Sequence, residues 1–144
     1  QWKAMERNGQ WRFTPPTHTI LALGQALTEF DAEGGVTGRG RRYRHNCETL
    51  VSGMRTLGFK TLLPDALQAP IIVTFLTPAD PNFHFDRFYE EIRNRGYIIY
   101  PGKLTVSNSF RIGCIGHICE DQVLGLLDAI RDTLGVMNVS NCGP

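Results

Sequence analysis

The chain has 144 residues, 15 Lys+Arg against 14 Asp+Glu and 42% apolar side chains, an ordinary globular composition with a formal net charge of +1. A chain of this size buries roughly 68–70% of its unfolded surface, enough for one core without disulfides or a structural metal. The near-neutral balance offers no global field for nucleic acid or an anionic membrane, and no run approaches the ~18 consecutive apolar residues of a membrane span, so a soluble partner is favoured.

Residues 1–13 are amphipathic and aromatic (Trp2, Trp11, Phe13) but short and Gly-interrupted, and read as a connector. Thr14-Pro15-Pro16-Thr17-His18-Thr19 then precedes Ile20-Leu21-Ala22-Leu23, a helix-start signal, and Gly34-Gly35 supplies the stop, which predicts a helix over 17–32. From Val36 the apolar positions Tyr43, Cys47, Leu50, Val51, Met54 and Leu57 fall on one stripe of a long helix ended by Gly58. Arg39, Arg41, Arg42, Arg44 and Arg55 lie off that stripe and read as a solvated face rather than a nucleic-acid patch.

Phe59–Leu63 and Ile71–Leu76 are short β-branched or aromatic runs bounded by prolines and read as strands, the second apolar on both faces as a covered central strand would be. Asp86 opens a short helix through Arg95, closed by Gly96. Tyr97–Tyr100 follows as a strand broken at Pro101-Gly102, and Phe110–Gly113 is the next, with Phe110 and Ile112 on one face and Arg111 on the other. Val123, Leu126, Leu127, Ile130 and Leu134 mark a final helix ended by Gly135, with a loosely ordered tail beyond. This order predicts an open-faced sandwich, helices on a small, mostly antiparallel sheet, organised as a connector and linking helix over 1–32, a small domain over 33–135 and a tail over 136–144.

Arg111 is the most suggestive single residue. A mid-strand guanidinium next to Gly113-Cys114-Ile115-Gly116 can grip a carboxylate or phosphonate through two parallel hydrogen bonds. On pattern alone, a strand arginine facing solvent is the simpler reading. The Thr14–Thr19 stretch offers hydroxyls and helix N-terminal amides suited to a phosphate, against the commoner role of helix capping. Lys103 follows a tight turn and most simply points into water.

Cys114, His117 and Cys119 form C-x-x-H-x-C, but Cys47 and Cys142 supply no matching pair, so no metal is expected. The four cysteines read as reduced thiols in a reducing, cytoplasmic compartment. Asn138-Val139-Ser140 fits a glycosylation sequon, which nothing else in the chain supports. No nucleophile–base pair, carboxylate dyad or glycine-rich nucleotide loop emerges, and pattern alone supports no autonomous enzyme.

Four blocks carry more information than their periodicities: Trp11-Arg12-Phe13-Thr14-Pro15-Pro16-Thr17-His18-Thr19, Pro70-Ile71-Ile72, Tyr100-Pro101-Gly102-Lys103-Leu104-Thr105, and Phe110-Arg111-Ile112-Gly113-x-Ile115-Gly116-His117. In order and spacing the chain, from about Gln1 to about Leu134, resembles the C-terminal part of the 2-aminoethylphosphonate:pyruvate transaminases, class V aminotransferases of the fold-type I group dependent on pyridoxal phosphate. The resemblance implies a homodimer that moves the amino group of 2-aminoethylphosphonate to pyruvate, giving phosphonoacetaldehyde and L-alanine in phosphonate degradation. By the same resemblance, Arg111 binds the acidic group of the substrate, and Thr14 reaches the cofactor phosphate of the other subunit.

The Schiff-base lysine, the aspartate at the pyridine nitrogen and the aromatic that stacks on the ring would all precede Gln1. Lys103 matches a different block and is not that lysine, so the chain alone is expected to be catalytically incomplete. Cys114 stands where relatives often carry a polar residue such as Asn. Two alternatives remain at this point: another class V enzyme, such as an alanine:glyoxylate aminotransferase, and a non-catalytic binding module built on the same sandwich.

Overall fold

A computed structural model describes residues 2–11, 13–102 and 107–144. The chain forms two compact units, residues 1–39 and 40–144. In the first, helix α1 (Trp2–Asn8) occupies part of the stretch expected to be only a connector, and helix α2 runs Thr17–Ala32 as the start and stop signals predict. No residue of α2 is buried, and Ile20, Leu21, Leu23 and Leu27 are all exposed. Gly34, at φ +93°, makes the turn into the next helix, a backbone geometry that costs glycine little because it has no Cβ.

Helix α3 (Gly35–Thr56) is the long helix expected from the apolar stripe, and Cys47, Leu50 and Met54 are its buried apolar positions. It ends as the sequence predicts. Gly58 takes φ +96°, its N–H donates to the Arg55 carbonyl, and the Phe59 N–H donates to Met54, which satisfies the last carbonyls. Three of the five arginines off the stripe are tied down rather than merely solvated, while Arg41 and Arg44 are exposed. Arg39 pairs with Glu33 at 2.7 Å, Arg42 donates to the carbonyls of Gly116 (2.7 Å) and Ile118 (2.8 Å), and Arg55 chelates Asp65.

The sheet has three antiparallel strands in the order β1–β3–β2, with β1 at Ile72–Leu76, β2 at Tyr100–Pro101 and β3 at Ser109–Gly113. The expected strand at 59–63 reduces to one bridge, Thr61 to Phe75, with the Leu62 and Leu76 amides bonded to Thr74 and Lys60. A single 3-10 turn, Asp65–Leu67, follows it. Strand β1 is therefore not covered on both faces as expected. Val73 and Phe75 are buried while Ile72, Thr74 and Leu76 are half-exposed, so helices cover one side of the sheet only.

Helix α4 (Phe85–Asn94) buries Phe88 and Ile92. The Tyr97 amide is used in closing that helix, donating to Ile92, so the following strand forms three residues later than expected, at Tyr100 and Pro101. Proline is tolerated there because β2 is an edge strand that needs no second row of donors.

Helix α5 (Glu120–Met137) outlasts Gly135 by two residues, because Met137 is needed in the core and Asn138 provides the left-handed stop at φ 56°. The tail beyond it is clamped rather than loose. Asp80 accepts hydrogen bonds from the Ser140 amide (2.9 Å), the Asn141 amide (3.2 Å) and the Ser140 hydroxyl (3.3 Å), and Cys142 is buried.

The core lies between the sheet and α3, α4 and α5, with Phe110 of the middle strand at its centre. Rings of Phe88 (5.5 Å), Phe59 (5.7 Å), Phe75 (5.8 Å), Phe85 (6.0 Å) and Phe83 (6.4 Å) surround it, centroid to centroid. This cluster fixes the parity of β3: with Phe110 and Ile112 inward, Arg111 must face outward.

Candidate functional site

Arg111 stands on the middle strand, on the face the helices leave open. In register it is flanked by Thr74 of β1 and Tyr100 of β2, which places phenol, guanidinium and hydroxyl in one cross-strand row. Its Nε donates to the Pro101 carbonyl at 3.3 Å, so the side chain leans over β2. Among the described residues no carboxylate pairs with it. A guanidinium has five N–H donors, so one Nε contact leaves the two-nitrogen fork for an anion.

Thr14 is exposed, in the turn that leads into α2. It does not cap that helix: Pro16 occupies the N-cap position, with no side-chain capping bond, and Thr17 Oγ1 donates back to the Pro15 carbonyl at 3.3 Å. The Thr14 hydroxyl makes no hydrogen bond to a described residue, and Thr17 and Ile20 are the first amides of the helix to find carbonyl partners. An exposed hydroxyl on the segment that leads into a helix start has donor chemistry that suits a phosphate. Lys103, Leu104 and Thr105 lie outside the described residues.

The cysteines divide by environment. Cys114 is fully buried against Cys47; burial, and then the neighbouring thiol, push its pKa up to about 12. Burial likewise raises Cys47 and takes Cys142 to about 11. Cys119, exposed, sits at the start of α5. Among the described residues no group of three His, Cys, Asp or Glu side chains is placed to hold a metal.

Sequence reasoning passed over Asn46. Fully buried, it donates to the carbonyls of Ile118 (3.1 Å) and Cys114 (3.4 Å), tying α3 to the segment that follows Arg111. Its place on the apolar stripe, one residue before Cys47, was the available signal. A hollow of about 700 Å³ lies outside Arg111's reach, lined by Arg44, Cys47, Glu48, Arg55 and Asp65 among others. The Arg55–Asp65 pair at its rim is bidentate, and Arg55 holds the Asp65 carboxyl below its usual range.

No family model matches the chain. Its fold is that of the C-terminal domain of fold-type I aminotransferases. An aspartate aminotransferase of subgroup IV from Thermus thermophilus superposes with a TM-score of 0.75 at 19% identity, over 93% of this chain and 37% of that one. The ureidoglycine–glyoxylate aminotransferase of Bacillus subtilis superposes with a TM-score of 0.66 at 22% identity, over 76% and 29%.

In sequence the chain is 54% identical over 139 residues to 2-aminoethylphosphonate–pyruvate transaminase 2 of Burkholderia lata, covering 96% of this chain and 37% of the relative. It is 54% identical over all 144 residues to the 2-aminoethylphosphonate–pyruvate transaminase of Rhizobium meliloti, covering 38% of that protein. The chain is thus a homologue, along essentially its whole length, of a stretch of the 2-aminoethylphosphonate–pyruvate transaminases, and it spans little more than a third of the curated relatives it matches. No helix among the described residues is long and apolar enough to cross a membrane.

Proposed function

We propose that the chain is the C-terminal part of a pyridoxal phosphate-dependent transaminase that passes the amino group of 2-aminoethylphosphonate to pyruvate and works as a homodimer in the cytoplasm. The observation that carries this reading is Arg111, held on the middle strand with its fork unclaimed by any described carboxylate, in a chain 54% identical to transaminases of that name. Residues 33–135 act as the small domain that presents Arg111, and residues 1–32 carry Thr14 toward the cofactor phosphate of the other subunit.

Bound, the cofactor supplies an electron sink for the electrons released when a proton leaves the substrate carbon. Thr14 fits its phosphate, since the hydroxyl is exposed and has no partner among the described residues. None of the three lysines of this chain, Lys3, Lys60 and Lys103, is assigned to carry the cofactor. Arg111 binds the phosphonate of the amino donor or the carboxylate of the keto acid and so aligns the reacting carbon, a contribution of orientation rather than of proton transfer.

The test places these 144 residues in the Rhizobium meliloti transaminase in exchange for the segment they match. Alanine should form from pyruvate only when 2-aminoethylphosphonate is present. Arg111→Lys keeps the charge and loses the planar fork. At about 1.5–3 kcal/mol per hydrogen bond to a charged group, losing one lowers kcat/KM roughly 10- to 150-fold. Unchanged kinetics with both substrates would remove Arg111 from the site, and glyoxylate outcompeting pyruvate would favour the alanine:glyoxylate type of class V enzyme.

A further inference from the structure

Arg111 alone can satisfy a carboxylate, which has two oxygens; a phosphonate has three. The geometry points to Tyr100 as the donor for the third oxygen, and so as the residue that sets preference for a phosphonate over a carboxylate. This inference rests on the proposed role of Arg111.

Tyr100 is directly in register with Arg111 and on the same open face, 51% exposed, while its neighbour Ile99 turns into the core at 2%. The Nε bond to the Pro101 carbonyl draws the guanidinium over β2, toward Tyr100 and away from β1. Thr74, the partner on the other flank, carries its hydroxyl one bond beyond Cβ, too short to follow a side chain that leans away from it. The phenol oxygen stands at the far end of a ring, with a reach comparable to that of the guanidinium. It makes no hydrogen bond to a described residue, so its O–H is available to an incoming anion oxygen. Arginine fork and phenol together present three donors to a tetrahedral anion; a planar carboxylate leaves the third unused.

The experiment measures Ki for two unreactive probes, ethylphosphonate and propionate, against the exchanged transaminase described above. Tyr100→Phe removes a single exposed oxygen atom and leaves the edge strand intact. It should raise Ki for ethylphosphonate about tenfold or more and leave Ki for propionate within about twofold. Thr74→Val should leave both values unchanged, and Arg111→Lys should raise both. If Tyr100→Phe moves the two probes alike or moves neither, or if Thr74→Val produces the selective change instead, the inference fails while the Arg111 reading stands. If Arg111→Lys moves neither probe, the reading beneath it fails as well.

Discussion

At the scale of single residues, the same short strand carries a side chain that must be buried and one that must not. Phe110 sits among five other rings, so truncating it leaves a cavity that the rigid sheet cannot close. Phe110→Ala should cost about 3–5 kcal/mol in denaturant unfolding, whereas Arg111→Lys, on the open face, should shift the midpoint by no more than about 0.5 kcal/mol. Thiol chemistry separates in the same way. With Cys114 pushed to about 12 and Cys142 to about 11, both are protonated and covered at neutral pH. Iodoacetamide should label Cys119 in the native protein and reach Cys114 and Cys142 only after unfolding, as peptide mapping would show. In the exchanged transaminase, Thr14→Ala should weaken cofactor retention more than substrate choice; equilibrium dialysis giving normal cofactor affinity would count against the role proposed for Thr14.

At the scale of elements, close approaches decide what the helices tolerate. A Cβ on Gly53 of α3 would lie 2.3 Å from Leu127 Cδ1 of α5, so a side chain there requires the Leu127 side chain, packed between the two helices, to shift. Gly53→Ala should destabilise by about 1–3 kcal/mol despite its better helix propensity, and Leu127→Ala in the same chain should recover part of the loss, a coupling that a double-mutant cycle would report. The helices were the legible part of the sequence: the stripe from Cys47 through Leu50 to Met54 and the Gly58 stop both appear as read, because periodicity and chirality are local properties. The strands were less so. Phe59–Leu63 has the residues of a strand, but its pairing is with a distant segment and is settled by only one bridge to Phe75. Tyr97–Tyr100 has the residues of a strand, yet pairing begins only at Tyr100, since no local signal shows that the amide of Tyr97 is spent on closing α4. Gly135 has the character of a helix stop, yet burial of Met137 carries the helix past it.

At the scale of the whole molecule, Asp80 joins the C-terminal segment to the body of the larger unit. Its carboxyl lies below its usual range because it accepts hydrogen bonds from the amides of Asn82, Ser140 and Asn141 and from the Ser140 hydroxyl. A group whose folded pKa is depressed stabilises above its unfolded value and loses that contribution as pH falls through the folded value. The clamp should therefore be fully present above about pH 4 and release below it. Amide chemical shifts of Ser140 and Asn141 followed between pH 7 and pH 2 should report a common midpoint below that of a free aspartate, and Asp80→Ala should free the segment at neutral pH. Composition did not disclose this contact, since a single acid 60 residues from its partners leaves no periodic trace. Arg111, by contrast, was legible twice, as the polar member of an alternating strand and as part of a recognised block, whereas the row it forms with Tyr100 and Thr74 needed the register. That row also bears on how the proposed transaminase would change its diet. Because odd and even positions of β3 answer to different neighbours, one set to aromatic packing and the other to the open face of the sheet, the outward letters can be rewritten at small thermodynamic penalty. For the proposed transaminase, new amino donors would then be reached by substitution at two or three outward positions, with the scaffold beneath untouched.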